Sequence, residues 1–199
     1  IWEVTQACDL ACVHCRAEAR PWRDPLELST DEAKRLIDQI REFGRPLFVI
    51  TGGDPLKRPD LFELIRYADG KGLRTTLTPS GTKLMTFDTI QEMKEAGLAR
   101  MAVSLDGHDK ASHDGFRRVD GSFDWTLECI RHARSKTIDL PVQINTTVTR
   151  HNKDHVRDIA LLLAKEDIAL WAVFFLVPVG RGQKDGMLDA DGHEEVFNL

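Results

Sequence analysis

The chain has 199 residues, 42% hydrophobic and 30% charged, with a formal net charge of −5. That is enough for one domain with a substantial core, and the acidic balance excludes a general nucleic-acid binder, which needs a basic footprint. The longest apolar run, Leu170 to Val177, has eight residues, against the ~20 that span a bilayer. No basic segment opens the chain as a secretory signal would, so the expected setting is cytoplasmic, with neither membrane nor nucleic acid as partner.

The first expected strand is Ile1–Thr5, and a cysteine-rich stretch follows it directly. Ser29-Thr30-Asp31-Glu32 then reads as a capping box opening a helix with Ala33, Leu36, Ile37 and Ile40 on one face. A second strand, Leu47–Thr51, runs into Gly52-Gly53-Asp54-Pro55. Pro59 suits the first turn of a helix that turns Leu61, Leu64, Ile65 and Ala68 inward. Strand Leu73–Thr78 is followed by a helix from about Phe87 to Gly97, a natural C-cap.

The fourth strand, Met101–Leu105, leads into Asp106-Gly107. A helix near Ser122 carries Phe123, Leu127 and Ile130. Strand Val142–Thr147 precedes a helix after Asn152, built on Val156, Ile159, Ala160 and Leu163. The last strand, Trp171–Val177, ends in the glycine-rich Pro178–Gly182, and a final helix begins near Asp189.

Strands alternating with helices imply parallel strands joined by crossovers. Six such units exceed a small doubly wound sheet and fall short of a closed eight-unit barrel, so the expected fold is α/β, a partial (β/α)6 TIM-like barrel. Chemistry in such folds collects after the strand C-termini: here just past Thr5, Thr51, Thr78, Leu105, Thr147 and Val177.

Cys8, Cys12 and Cys15 lie in the first of those places. Clustered thiols in a chain with one other cysteine, Cys129, point to a soft-metal site rather than a disulfide scaffold. Three thiolates on a four-iron cluster would leave one iron open. The same spacing also fits three buried thiols on one helix face, or a zinc site completed by His14. Cys129 reads as a small buried hydrophobe. Asn145 and Thr147 share one strand face and suggest a ligand-facing wall, with a solvated sheet surface as the alternative. The Pro178–Gly182 loop fits either a ligand contact or a plain turn.

The C-x3-C-x2-C run after an opening strand resembles the radical S-adenosylmethionine (SAM) superfamily. Further motifs in matching order are Gly52-Gly53-Asp54-Pro55, Ser104-Leu105-Asp106-Gly107, His113-Asp114 with Arg117, and Gly121-Ser122-Phe123. They are most similar to the SPASM-type branch, which includes PQQ and haem d1 biosynthesis proteins and peptide-modifying enzymes.

The resemblance implies that Cys8, Cys12 and Cys15 hold a [4Fe–4S] cluster, with His14 packing over it. It implies SAM contacts from Gly52, Gly53, Asp54, Ser104 and Arg117, and from the backbone at Leu176; Asn145 and Thr147, on their ligand-facing wall, are the further cofactor-binding candidates. Asp54 stands where that family usually has Glu, and Arg118 where it usually has Gly. The implied activity is a radical SAM oxidoreductase acting on a peptide or tetrapyrrole-type substrate, fed by a flavodoxin- or ferredoxin-like electron donor. Residues 1–199 would then be the catalytic core of a longer protein carrying a C-terminal SPASM-like domain. A zinc-stabilised α/β binding module and a degenerate, non-catalytic homologue are the competing readings.

Overall fold

The computed structural model describes residues 1–199. Six parallel strands form one sheet in sequence order: β1 (Trp2–Glu3), β2 (Leu47–Thr51), β3 (Arg74–Leu77), β4 (Arg100–Ser104), β5 (Val142–Val148) and β6 (Leu170–Phe175). Every neighbouring pair is parallel, and β1 and β6 are the two edges. Right-handed crossovers in sequence order put the helices on one face, which gives the partial barrel expected from the alternation.

The crossovers are α1 (Thr30–Phe43), α2 (Leu61–Gly70), α3 (Phe87–Glu95), α4 (Lys110–Arg117) with α5 (Ser122–Ala133), and α6 (Val156–Leu163); α7 (Ala190–Phe197) follows β6. No helix is long and apolar enough to cross a membrane.

Alternation along the strands sorts the two faces. On β5, Val142, Ile144, Thr146 and Val148 are buried, and Gln143, Asn145 and Thr147 between them are half-buried. Val148 packs separately with Val156 and Leu188, while Val142 and Ile144 join Ile50, Leu77, Met101 and Val103 from the other strands. These pack on Ile37, Leu64, Ile65, Ile90 and Ile130 from the helices in one continuous core. The capping box is present: Glu32 N–H donates to Ser29 Oγ, and Ser29 N–H to Glu32 Oε2 at 2.9 Å. Cys129 is fully buried in the core, donates to Thr126 O, and has its thiol pushed up to about 12 by burial.

Three differences from the sequence expectation matter. β1 stops at Glu3: Val4 N–H still donates to Thr51 O, but Thr5 Oγ1 then accepts from Ala7 N–H and turns the chain out of the sheet. β6 ends at Phe175, two residues before the expected end. Helix α4, on which no expectation was placed, runs from the capping box Asp109–Ser112 to Arg118, whose φ of 55° is left-handed.

Candidate active site

The sheet face turned away from the helices lines a cavity of about 510 Å³, within the usual range for a small-molecule site. Its wall includes Thr51, Thr76, Ser104, Gln143 and Asn145 from four different strands, and Cys8, Cys12 and Cys15 close it at the strand C-termini. The larger hollow of about 700 Å³ lies elsewhere, between α6 and α7, and carries none of this chemistry.

The cysteine loop is pinned from three sides. At its base, Gly53 N–H donates to Thr5 O at 2.7 Å and Asp54 N–H to Ala7 O at 2.6 Å. A Cβ on Gly52 would sit 2.4 Å from Thr5 O, and one on Gly53 2.4 Å from Ala7 O. The paired glycines therefore allow two loops to meet; the close approach is to the cysteine loop itself.

From the second side, Ala11 N–H donates to Arg117 O and Val13 N–H to Phe116 O, so the loop caps the last carbonyls of α4. From the third, Arg181 N–H reaches Cys15 O at 2.9 Å, Arg181 Nε reaches Cys12 O at 2.9 Å, and Nη1 reaches Ala19 O at 2.8 Å. Gly180, with φ of 62°, passes so near that a Cβ would lie 2.5 Å from Cys15 O. The glycine-rich loop after β6 is thus a clasp on the cysteine loop.

Donors converge on the sulfurs. Leu10 N–H points at Cys8 Sγ (3.3 Å), Ala19 N–H at Cys15 Sγ (3.4 Å) and Arg117 Nη1 at Cys12 Sγ (3.5 Å); Ser80 Oγ lies 3.3 Å from Cys8 Sγ. Burial pushes the Cys8 thiol up to about 11 despite the Ser80 contact. His14 lines the cavity and packs on Phe116, ring centroids 4.5 Å apart; burial, helped by Arg117 and Arg181, drives it down to about 4, so the ring is neutral.

Arg117 is held by Asp106, and both are buried. Burial opposes the Asp106 carboxylate, yet the Arg117 guanidinium beside it keeps its pKa below the ordinary value; the same pairing raises Arg117 against its own burial. Asp106 Oδ1 accepts from Thr147 N–H at 2.7 Å, and Asp106 N–H donates to His113 Nδ1 at 3.1 Å. Asn152 Nδ2 donates to Asp106 O and Thr147 O. Asp114 accepts from Gly121 N–H, Ser122 Oγ and Phe123 N–H, all within 2.8 Å, and so caps α5. The His-Asp…Gly-Ser-Phe stretch is largely a folding device that sets the last turn of α4.

The cavity therefore brings together Cys8, Cys12, His14, Cys15, Gly52, Gly53, Ser104, Arg117 and Asn145. Asp54, Thr147 and Leu176 lie outside its lining. Asp54 is buried and its carboxylate accepts from Leu56 N–H, Ser80 N–H and Thr82 Oγ1, tying β2 to the loop after β3; burial pushes its pKa up. Thr147 is bound through its backbone to Asp106. The Leu176 side chain lies beneath Gly182 and Gly186. Sequence reasoning placed Asp106 in the Ser104–Gly107 motif without its pairing to Arg117, and missed Arg181 as a clasp.

An iron–sulfur cluster fits this donor set. N–H and guanidinium donors aimed at sulfur suit thiolates that share negative charge. Arg117 Nε and His14 Nδ1, both on cavity-lining side chains, are buried without a hydrogen-bond partner.

The chain is 48% identical over 199 residues to an AdoMet-dependent heme synthase of Nitratidesulfovibrio vulgaris, covering 99% of this chain and 53% of that protein. It is 39% identical to an AdoMet-dependent heme synthase of Methanosarcina barkeri, covering 99% and 56%. The chain thus spans about half the length of the curated relatives it matches. The fold superposes on Streptococcus suis SuiB, solved bound to S-adenosylmethionine, with a TM-score of 0.84 at 16% identity, covering 98% of this chain and 45% of that one. Residues 2–163 match the family described as the Radical SAM superfamily, and the chain, with its three-thiol loop at the strand C-termini, belongs to that superfamily.

Proposed function

We propose that this chain is the catalytic core of a radical SAM oxidoreductase that modifies a haem-type tetrapyrrole. The observation that carries the proposal is the convergence of three thiols and Arg117 on one cavity at the strand C-termini. Cys8, Cys12 and Cys15 would hold three irons of a [4Fe–4S] cluster and leave the fourth open. A cluster held there would supply one-electron reduction of SAM and, through it, hydrogen-atom abstraction from the substrate.

The protein's own part is binding, orientation and charge. Arg117, braced by Asp106, would offer its guanidinium to the SAM carboxylate. Ser104 and Asn145 would supply polar contacts from β4 and β5, and the Gly52–Gly53 backbone would lie along the SAM amino group. Neutral His14 would cover the cluster's flank without adding a positive charge. Asp54, Thr147 and Leu176 would act through backbone and loop geometry.

The tetrapyrrole reading, over a peptide, is supported by the two relatives named heme synthases. Arg100, which lines the cavity without an acidic partner, suits a substrate with carboxylate arms. A reduced flavodoxin- or ferredoxin-like protein would be the electron donor, and a C-terminal domain beyond this core would complete the protein.

Anaerobic reconstitution with iron and sulfide, then dithionite and SAM, tests the proposal. The expected result is a brown protein that forms 5′-deoxyadenosine, with both properties lost on replacing Cys8, Cys12 and Cys15 together by alanine. Stoichiometric zinc with no SAM cleavage would overturn it. Faster 5′-deoxyadenosine formation with an iron porphyrin carboxylate than with peptides supports the substrate class, and the reverse order refutes it.

A further inference from the structure

A second group of ligating side chains lies away from the thiol cavity. His108 follows Gly107 in the β4–α4 loop; His155 and Asp158 lie at the start of α6. One ligand atom from each of the three falls within 4.8 Å of the others. The imidazoles stack with centroids 4.3 Å apart and planes 28° from parallel. Each has a carboxylate beside it: His155 Nδ1 is 3.4 Å from Asp158 Oδ2, and His108 Nε2 is 3.5 Å from Asp109 Oδ2. His108 Nδ1 is buried and has no hydrogen-bond partner in the protein. None of these residues lines the thiol cavity.

We propose that His108, His155 and Asp158 form a binding site for a borderline divalent metal ion such as zinc, which ties the β4–α4 loop to the start of α6. Two imidazoles and a carboxylate suit zinc, nickel or cobalt; they are too soft a set for magnesium or calcium, and they lack the thiolates that copper(I) prefers. Asp109, whose other oxygen is occupied by Ser112 N–H at 2.8 Å, or water would complete four-fold coordination.

The tie has a mechanical meaning. His108 is two residues past Asp106, and His155 is three past Asn152, whose side chain donates to Asp106 O at 2.9 Å. A metal there would fasten together the two segments that hold Asp106, and through it Arg117, without touching the cavity.

The test is zinc titration of the full chain with its cluster loaded, read by calorimetry and by zinc analysis after dialysis. A parallel arm uses the chain with Cys8, Cys12 and Cys15 replaced by serine, so the outcome does not depend on cluster loading. The expected result is one zinc per chain in both arms. His155→Ala and Asp158→Asn should weaken it by at least ~10-fold, with iron content and circular dichroism unchanged. Zinc should raise the Tm of the parent chain and not of the variants. No zinc in the serine arm, or equal affinity in the variants, would overturn the proposal.

Discussion

Replacing Asp106 by asparagine isolates the interaction that holds Arg117. Asparagine is close to isosteric, so no cavity opens, and its Oδ1 can keep the 2.7 Å bond from Thr147 N–H. The other terminal atom changes from a charged acceptor to a donor facing the Arg117 guanidinium, which is only 8% exposed. Removing one partner of a buried ion pair leaves an uncompensated charge and costs ~3–5 kcal/mol. Against a total of ~5–15 kcal/mol for a domain, Asp106→Asn should still fold.

Urea unfolding of the cluster-free protein measures the loss, and a cycle with Arg117→Met isolates the pair. The double variant should recover part of it, giving a coupling of ~2–3 kcal/mol. A single-variant loss below ~1 kcal/mol, or a coupling within ~0.5 kcal/mol of zero, would refute Asp106 as the brace of Arg117.

Three further outcomes follow from the same geometry. Gly53→Ala places a methyl 2.4 Å from Ala7 O and 2.6 Å from Gln6 O; it should push the cysteine loop away and lower the iron bound on reconstitution, with helix content by circular dichroism retained. His113 is buried and driven by desolvation to about 4 from an ordinary value near 6.5. The unfolded chain therefore binds the extra proton between those values, so this contribution is complete above about pH 6.5 and falls by up to about 3 kcal/mol toward pH 4; His113→Gln should remove it in urea titrations across that range and leave the parallel one from His14. Arg118→Gly relieves a left-handed residue at the end of α4 and should raise unfolding stability by ~0.5–1 kcal/mol, read as a higher urea midpoint.

The sequence showed the alternation and the place of the chemistry because both are local signals. Hydrophobic periodicity marked the six strands, and the cysteine spacing stands where strand β1 ends. Helix α4 escaped notice because Lys110–Arg117 is short and holds Gly115, Ser112 and His113, weak helix formers; the Asp109–Ser112 capping pattern was the signal that marked it. Asp106 and Arg117 are eleven residues apart, and neither propensity nor period pairs them, since α4 had first to be placed. The 180–182 loop and Cys12 are separated by most of the chain, so Arg181 could be read as a clasp only once β6 stood beside the cavity. Asp54 shows the converse: its motif was legible, but its burial against Ser80 and Thr82 depends on how β3 lies next to β2.

The caps that Ala11 and Val13 place on α4 join two segments more than a hundred residues apart. Their amide hydrogens are held by carbonyls of α4, so the order of the cysteine loop is coupled to a helix it does not adjoin in sequence. The cysteine loop thereby draws part of its order from the end of α4, where the left-handed Arg118 closes the helix.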